Sequence, residues 1–124
     1  MSSVSSIPTA DDVLDPQVDV LPVEEVATAL GVPVSRIYQS VRDGHLIAMR
    51  RAGQLCMPAV LIDGSEPVKG LSGTLTLLRD AGYTPTEMLR WLFAPDESLP
   101  GTPIDALRSN RGREVKRRAQ ALGF

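Results

Sequence analysis

Between Pro22 and Leu30, the apolar residues Val23, Val26, Ala27 and Leu30 recur at i, i+3, i+4 and i+7, the spacing of one helix face. Pro22 is tolerated in the first turn of such a helix, and Gly31 supplies a stop. A second amphipathic stretch runs from Val34 to Arg42. Val34, Ile37, Tyr38 and Val41 face one way while Ser35, Arg36, Gln39 and Arg42 face the other, and Gly44 ends it. The period then changes from helical to alternating. Leu46, Ala48, Arg50 and Ile47, Met49, Arg51 form two interleaved sets, Ala52-Gly53-Gln54 turns the chain, and Leu55-Cys56-Met57 returns as a small hairpin. Pro58 suits the first turn of a short helix through Asp63.

Beyond the breaker Gly64-Ser65-Glu66-Pro67, the helical period resumes with Leu71, Leu75, Leu78 and Ala81, and Gly82 can cap this segment. Thr84-Pro85-Thr86-Glu87 is a helix start with the cap, proline and N3 glutamate of a capping box, leading into Met88, Leu89 and Leu92. Trp91 or Phe93 closes the edge of that helix. A loop through Pro103 precedes a short helix around Ile104 to Ser109, capped by Thr102. A last helix from Arg113 buries Val115, Ala119 and Leu122. Residues 1–20 have no sustained period and are Ser-rich, then acidic, which predicts a flexible tail. The expected organisation is a tail over 1–20, a winged helix-turn-helix over 21–64 and a C-terminal helical domain over 65–124. The fold class is mainly α with a small β-wing.

Charge changes this picture. The 124 residues sum to −2, yet residues 1–30 carry −6, residues 31–63 carry +2, residues 64–107 carry −3 and the last seventeen carry +5. A polyanion can therefore meet a basic face despite the acidic total. The single cysteine, Cys56, forms no intrachain disulfide and is expected to pack inside the wing; no Cys/His cluster has zinc spacing. No run of about 18 apolar residues and no signal peptide is evident, so no membrane association is expected and a cytoplasmic, nucleoid-associated location is. No cofactor is expected. With one histidine, one cysteine and carboxylates concentrated in the tail or at helix starts, no nucleophile and base pair up, which argues against an enzyme.

A helix-turn-helix needs a small residue where its helices touch, a turn that permits positive φ, and apolar residues that fix the crossing. Ala27, Gly31 and the set Val26, Leu30, Val32, Ile37 supply these, although Ser40 stands where an aliphatic residue is commoner. With the second helix in the major groove of double-stranded DNA, Ser35, Arg36 and Gln39 reach base edges, Arg pairing with guanine and Gln with adenine. Arg42 is placed for a phosphate. Tyr38 is open between a core aromatic and a phosphate contact. Arg50 and Arg51 are expected to anchor phosphates; since they point to opposite faces of the wing, the alternative is that one of them meets DNA while the other is a solvated charge. Gln54 sits at the tip, within reach of the DNA backbone or minor groove. The basic C-terminal residues Arg111, Arg113, Lys116 and Arg117 allow two explanations, secondary DNA contacts or a solvated helix face whose charges complement the helix dipole.

Leu30-Gly-Val-Pro-Val-Ser-Arg-Ile-Tyr38 with Arg42-Asp-Gly-His-Leu46 and Met57-Pro58 resembles the excisionase and MerR type of winged helix-turn-helix. Over nearly the whole chain, including Ala10-Asp-Asp-Val-Leu-Asp-Pro16, Met49-Arg-Arg-Ala-Gly53, Leu89-Arg-Trp-Leu-Phe93 and Arg113-Glu-Val-Lys-Arg-Arg-Ala-Gln-Ala121, it resembles a small actinobacterial DNA-binding family, substrates of the mycobacterial Ser/Thr kinase PknL. That resemblance implies a Ser/Thr protein kinase as partner and a phosphoacceptor threonine in the tail. Thr9 is the only threonine there, with Ser2, Ser3, Ser5 and Ser6 as alternatives. Trp91-Leu92 through Pro95, Leu99, Gly101, Pro103 and Ala106-Leu107 resembles the toxin-binding domain of Xre-type antitoxins, which implies a protein partner at the C-terminal domain. The expected function is a DNA-binding transcriptional regulator whose affinity falls on phosphorylation of the tail; the alternative is an antitoxin-like interaction module.

Overall fold

Helical periodicity and helical structure coincide in the computed structural model, which describes residues 7–96 and 101–122. The first half contains β1 (Val20–Pro22), α1 (Val23–Leu30), α2 (Val34–Arg42), β2 (Met49–Arg51) and β3 (Gln54–Pro58). A 3-10 turn (Ala59–Leu61) and a two-stranded hairpin, β4 (Ile62–Asp63) and β5 (Glu66–Pro67), lead to α3 (Leu71–Asp80), α4 (Pro85–Phe93), α5 (Pro103–Arg108) and α6 (Gly112–Ala121). This is a winged helix-turn-helix followed by a helical C-terminal domain. No helix among the described residues is long and apolar enough to cross a membrane.

The helix starts obey local chemistry. Thr84 accepts from the Glu87 backbone N–H (3.2 Å) while Glu87 accepts from the Thr84 N–H (2.9 Å), and Thr102 and Asp105 repeat this box at α5. At the α1 end, Gly31 takes a left-handed conformation (φ 69°), which lets the Gly31 and Val32 N–H groups return to the Thr28 and Ala27 carbonyls. The buried faces are the expected ones: Val23, Val26 and Ala27; Ile37 and Val41; Leu71, Leu75 and Leu78; Met88, Leu89 and Leu92; Val115 and Ala119. Cys56 is buried in the wing as expected.

Three local expectations change. The wing sheet has three strands in the order β1-β3-β2, because Val20, Leu21 and Pro22 pair with Pro58, Met57 and Cys56. Pro22 therefore ends a strand rather than opening the first turn of α1. Asp63 and Glu66 pair across Gly64 (φ 65°), so the region expected as a helix to Asp63 is one 3-10 turn followed by a hairpin.

The largest change concerns the N-terminal segment. Residues 7–20, expected to belong to a flexible tail, run along the winged domain: Ile7 and Ala10 are buried, and the Ala10 N–H donates to the Ala48 carbonyl at 2.8 Å. The Asp11 N–H donates to Thr86 Oγ1 of α4 (2.9 Å), so the segment also reaches the C-terminal half. Its apolar residues are few, yet Ile7 and Ala10 enter the core, and Val13, Leu14 and Val20 pack against it.

Those halves share one hydrophobic core, to which α1, α2, β3, α3, α4, α5 and α6 all contribute. Two arginines join them at the surface. Arg79 of α3 donates to the Asp43 carbonyl at the C-terminal end of α2 (3.0 Å), and Arg108 of α5 donates to the Val60 and Ile62 carbonyls (2.8 and 3.1 Å). A guanidinium at the end of α2 complements that helix's dipole and occupies a carbonyl that has no helical partner.

A shared core predicts one cooperative unfolding step. Urea denaturation followed by fluorescence of Trp91, which reports on α4, and by circular dichroism of the whole chain is expected to give the same midpoint. Two separated midpoints would contradict the shared core.

Candidate nucleic-acid interface

On α2, burial of Ile37 and Val41 turns Ser35, Arg36, Gln39 and Arg42 outward, and all four are exposed. Ser35, Gln39 and Arg42 form the central row, at i, i+4 and i+7, with Arg36 on its flank. Tyr38 is half-buried and packs against the core, with its other side in solvent. The helix begins after Pro33 with neither a side-chain cap nor an acidic residue in its first turn. The partial positive charge of its N-terminal end is thus balanced by no side chain of the first turn.

Gln39 joins two neighbours on this face. Its Nε2 donates to Asp43 Oδ1 (2.9 Å), and its Oε1 accepts from Arg42 Nη2 (3.1 Å). These bonds hold Arg42 and Gln39 side by side along one surface.

The wing is built on a two-residue turn with both central residues left-handed, Ala52 (φ 53°) and Gly53 (φ 78°). Such turns match the natural twist of paired strands. Met49, Arg50 and Arg51 pair with Cys56, Leu55 and Gln54, which leaves Arg50 and Gln54 exposed. Arg51 does something else. Its Nε and Nη2 grip the Asp12 carboxylate at 2.7 and 3.1 Å, and Nη1 donates to the Val18 carbonyl at 2.7 Å. Longer bonds run to the carbonyls of Pro16 (3.4 Å) and Asp15 (3.3 Å). Arg51, expected as a DNA contact, instead clamps the N-terminal segment, because a bidentate carboxylate and a ring of carbonyls use its donors in the free protein.

The hydrogen bonds from Arg51 hold the Asp12 carboxyl below its ordinary range, helped by the Leu14 N–H and opposed by partial burial. Burial pushes the Cys56 thiol up, against the nearby Arg51 charge. Thr9 lies in the same segment and is half-buried, between exposed Pro8 and buried Ala10. Pro8 lines a small cleft of about 160 Å³ with Arg42 and Arg79. The serines at positions 2, 3, 5 and 6 lie outside the described residues.

The basic C-terminal residues separate into two groups. Arg113 and Lys116 line an open cleft of about 510 Å³ together with Lys69, whereas Arg111 and Arg117 are exposed away from it. Lys69 also lines an adjoining groove of about 460 Å³ with Arg36 and Ser40 of α2. Sequence reasoning passed over Lys69 because it stands alone between Pro67-Val68 and Gly70, outside any periodic face. Among the described residues no group of three or more His, Cys, Asp or Glu side chains is placed to hold a metal ion.

Two family models divide the chain between them. The one described as "DNA-binding protein Rv2175c, wHTH domain" matches residues 6–62, and the one described as "Rv2175c C-terminal domain of unknown function" matches residues 68–123. The chain is 47% identical over 137 residues to DNA-binding protein Rv2175c of Mycobacterium tuberculosis (strain ATCC 25618 / H37Rv), with 100% of this chain and 94% of the relative covered. Its fold superimposes on the NMR structure of Rv2175c with a TM-score of 0.86 at 46% identity, over 96% of this chain and 90% of the other.

The Arg51 clamp predicts an acid-sensitive N-terminal segment. A depressed Asp12 pKa means that the clamp's contribution is fully present above the unfolded carboxyl value, about 3.9, and is lost as pH falls through the lower folded value. Exchange of the Ala10 amide, corrected for its intrinsic rate, is expected to accelerate below about pH 4 in the wild type. In Asp12→Asn it is expected to be fast at neutral pH as well. Equal protection in the two proteins at pH 7 would show that the ion pair does not hold the segment.

Proposed function

Because the chain belongs to the Rv2175c family of winged helix-turn-helix DNA-binding proteins, we propose that it binds double-stranded DNA as a transcriptional regulator, with α2 in the major groove. The observation that carries this is the exposed row on α2, set at an uncapped helix start and followed at once by a wing that exposes Arg50 and Gln54. Arg36 pairs bidentately with guanine, Gln39 with adenine, and Ser35 supplies a hydroxyl at the same edge. Arg42 and Arg50 neutralise phosphates, Gln54 meets the backbone or minor groove, and the Tyr38 hydroxyl meets a phosphate from the rim. Each neutralised phosphate adds about 0.9 to the slope of log K against log salt, so the few cations at the reading head give it only a modest salt dependence of its own.

Regulation by a Ser/Thr kinase acting on Thr9 follows the same electrostatics. A phosphate there brings about −1.5 to −2 charges to a segment that already carries Asp11 and Asp12, next to a cleft lined by Arg42 and Arg79. The added anion competes with DNA for Arg42. The alternative of a protein partner on the C-terminal helices draws on an open hollow of about 310 Å³ among Tyr83, Glu87, Arg90, Trp91 and Ala94. Leu99, which belongs to the antitoxin-like motif, lies outside the described residues.

Selection from a random duplex library followed by anisotropy titration tests base reading. Arg36→Ala is expected to lose about 1–3 kcal/mol of discrimination at one base pair, with the preference there flattened; a uniform loss at every position would make Arg36 a phosphate contact instead. In the same assay Thr9→Glu is expected to weaken binding at low salt, with the difference shrinking as salt rises. Identical affinity at low salt would remove the regulatory role of Thr9.

A further inference from the structure

The cleft that holds Arg113 and Lys116 is lined by Lys69, Gly70, Leu107, Asn110 and Gly112 besides, so it gathers three cations and no carboxylate. Among the described residues no ion pair meets any of the three. Gathering like charges without a counter-charge is unfavourable, and a bound polyanion relieves it. Lys116 is also positioned. Its side chain crosses α3 at Gly73, where an added Cβ would stand 3.0 Å from Lys116 Cε and 3.3 Å from Nζ. Glycine inside a helix costs stability relative to alanine, and here its bare backbone leaves room for the lysine to lie along the cleft wall.

Lys69 connects this cleft to the reading head. It also lines the adjoining groove with Arg36 and Ser40, which sit one turn apart on the flank of the Ser35, Gln39, Arg42 row. A helix seated in a major groove about 12 Å wide has a wall of phosphates along each flank. Lys69 and Gly70 line both the groove on the Arg36 side and the cleft of Arg113 and Lys116, so the two hollows adjoin along that flank.

We infer that Lys69, Arg113 and Lys116 form a second phosphate-binding surface, by which the C-terminal domain grips the backbone of the same duplex that α2 reads. This assignment rests on the DNA-reading function proposed above and gives the C-terminal half a direct part in it. Specificity stays with α2, since contacts to phosphates position a duplex without reading its sequence.

The test uses the full-length chain and a fluorescein-labelled duplex of random sequence, titrated over a range of salt. Each phosphate contact contributes about 0.9 to the slope of log K against log salt, so the triple variant Lys69→Gln/Arg113→Gln/Lys116→Gln is expected to lose roughly 2.7 from the slope. At low salt its affinity is expected to fall roughly ten- to hundredfold. Lys69→Gln alone is expected to lose about 0.9, and Arg111→Gln/Arg117→Gln, outside the cleft, far less than the triple. The proposal is overturned if the triple variant keeps the wild-type slope while Arg42→Gln still weakens binding, a result that leaves the α2 interface standing. It is also overturned if the Arg111/Arg117 pair lowers the slope as much per charge, since net charge rather than the cleft would then be responsible. Failure of the wild type to bind duplex at low salt would remove both the α2 reading and the cleft.

Discussion

The position of α2 depends on one apolar core that the two halves of the chain build together. The winged part contributes Val23, Val26, Ile37, Val41, Met49, Met57 and Leu61, and the C-terminal part contributes Leu71, Leu75, Leu78, Leu89, Leu92 and Val115 to the same cluster. A unit of fewer than about sixty residues buries only about 60% of the surface its unfolded chain exposes, and sharing a core raises that fraction. The polar joins follow the same seam. Arg79 closes the end of α2, Arg108 holds the carbonyls after the wing, and Asp11 meets Thr86. The presented face of α2 is thus fixed from behind by residues that take no part in presenting it.

Much of this was legible in the sequence wherever a short period met a local stop signal. The two helices around Gly31, the capping box at Thr84 and the exposed row Ser35, Arg36, Gln39, Arg42 all follow from spacing within one or two turns. What escaped was nonlocal. Ile7 and Ala10 have no periodic neighbours, and their acidic surroundings read as disorder, because the burial that orders them is supplied by residues far along the chain. β1 is only three residues long and becomes a strand through β3. Alternation correctly placed Arg50 and Arg51 on opposite sides of the wing, yet only the fold shows that Asp12, 39 positions away, faces Arg51. Lys69 matters through two grooves that exist only after the halves meet.

The segregated charge acquires a more exact meaning from these contacts. Within the acidic N-terminal stretch, Asp12 is matched one-to-one by Arg51. That match removes a cation from the wing's free surface and an anion from the tail in equal measure. Arg36 and Arg42 on α2, Arg50 on the wing, and Lys69, Arg113 and Lys116 around the two grooves all stay exposed. An acidic average over the chain and exposed basic groups on its surface are therefore compatible.

The bridge between Ala10 and Met49 has a consequence of a different kind. In the order β1-β3-β2, strand β2 is an outer strand, and Ala10 pairs with it in parallel through Met49. An unpaired outer strand offers a row of backbone donors and acceptors to any passing chain, which is the usual beginning of edge-to-edge aggregation. By lying against β2, the N-terminal segment shields that edge, so the same few residues that complete the core also help keep the molecule from polymerising through its wing.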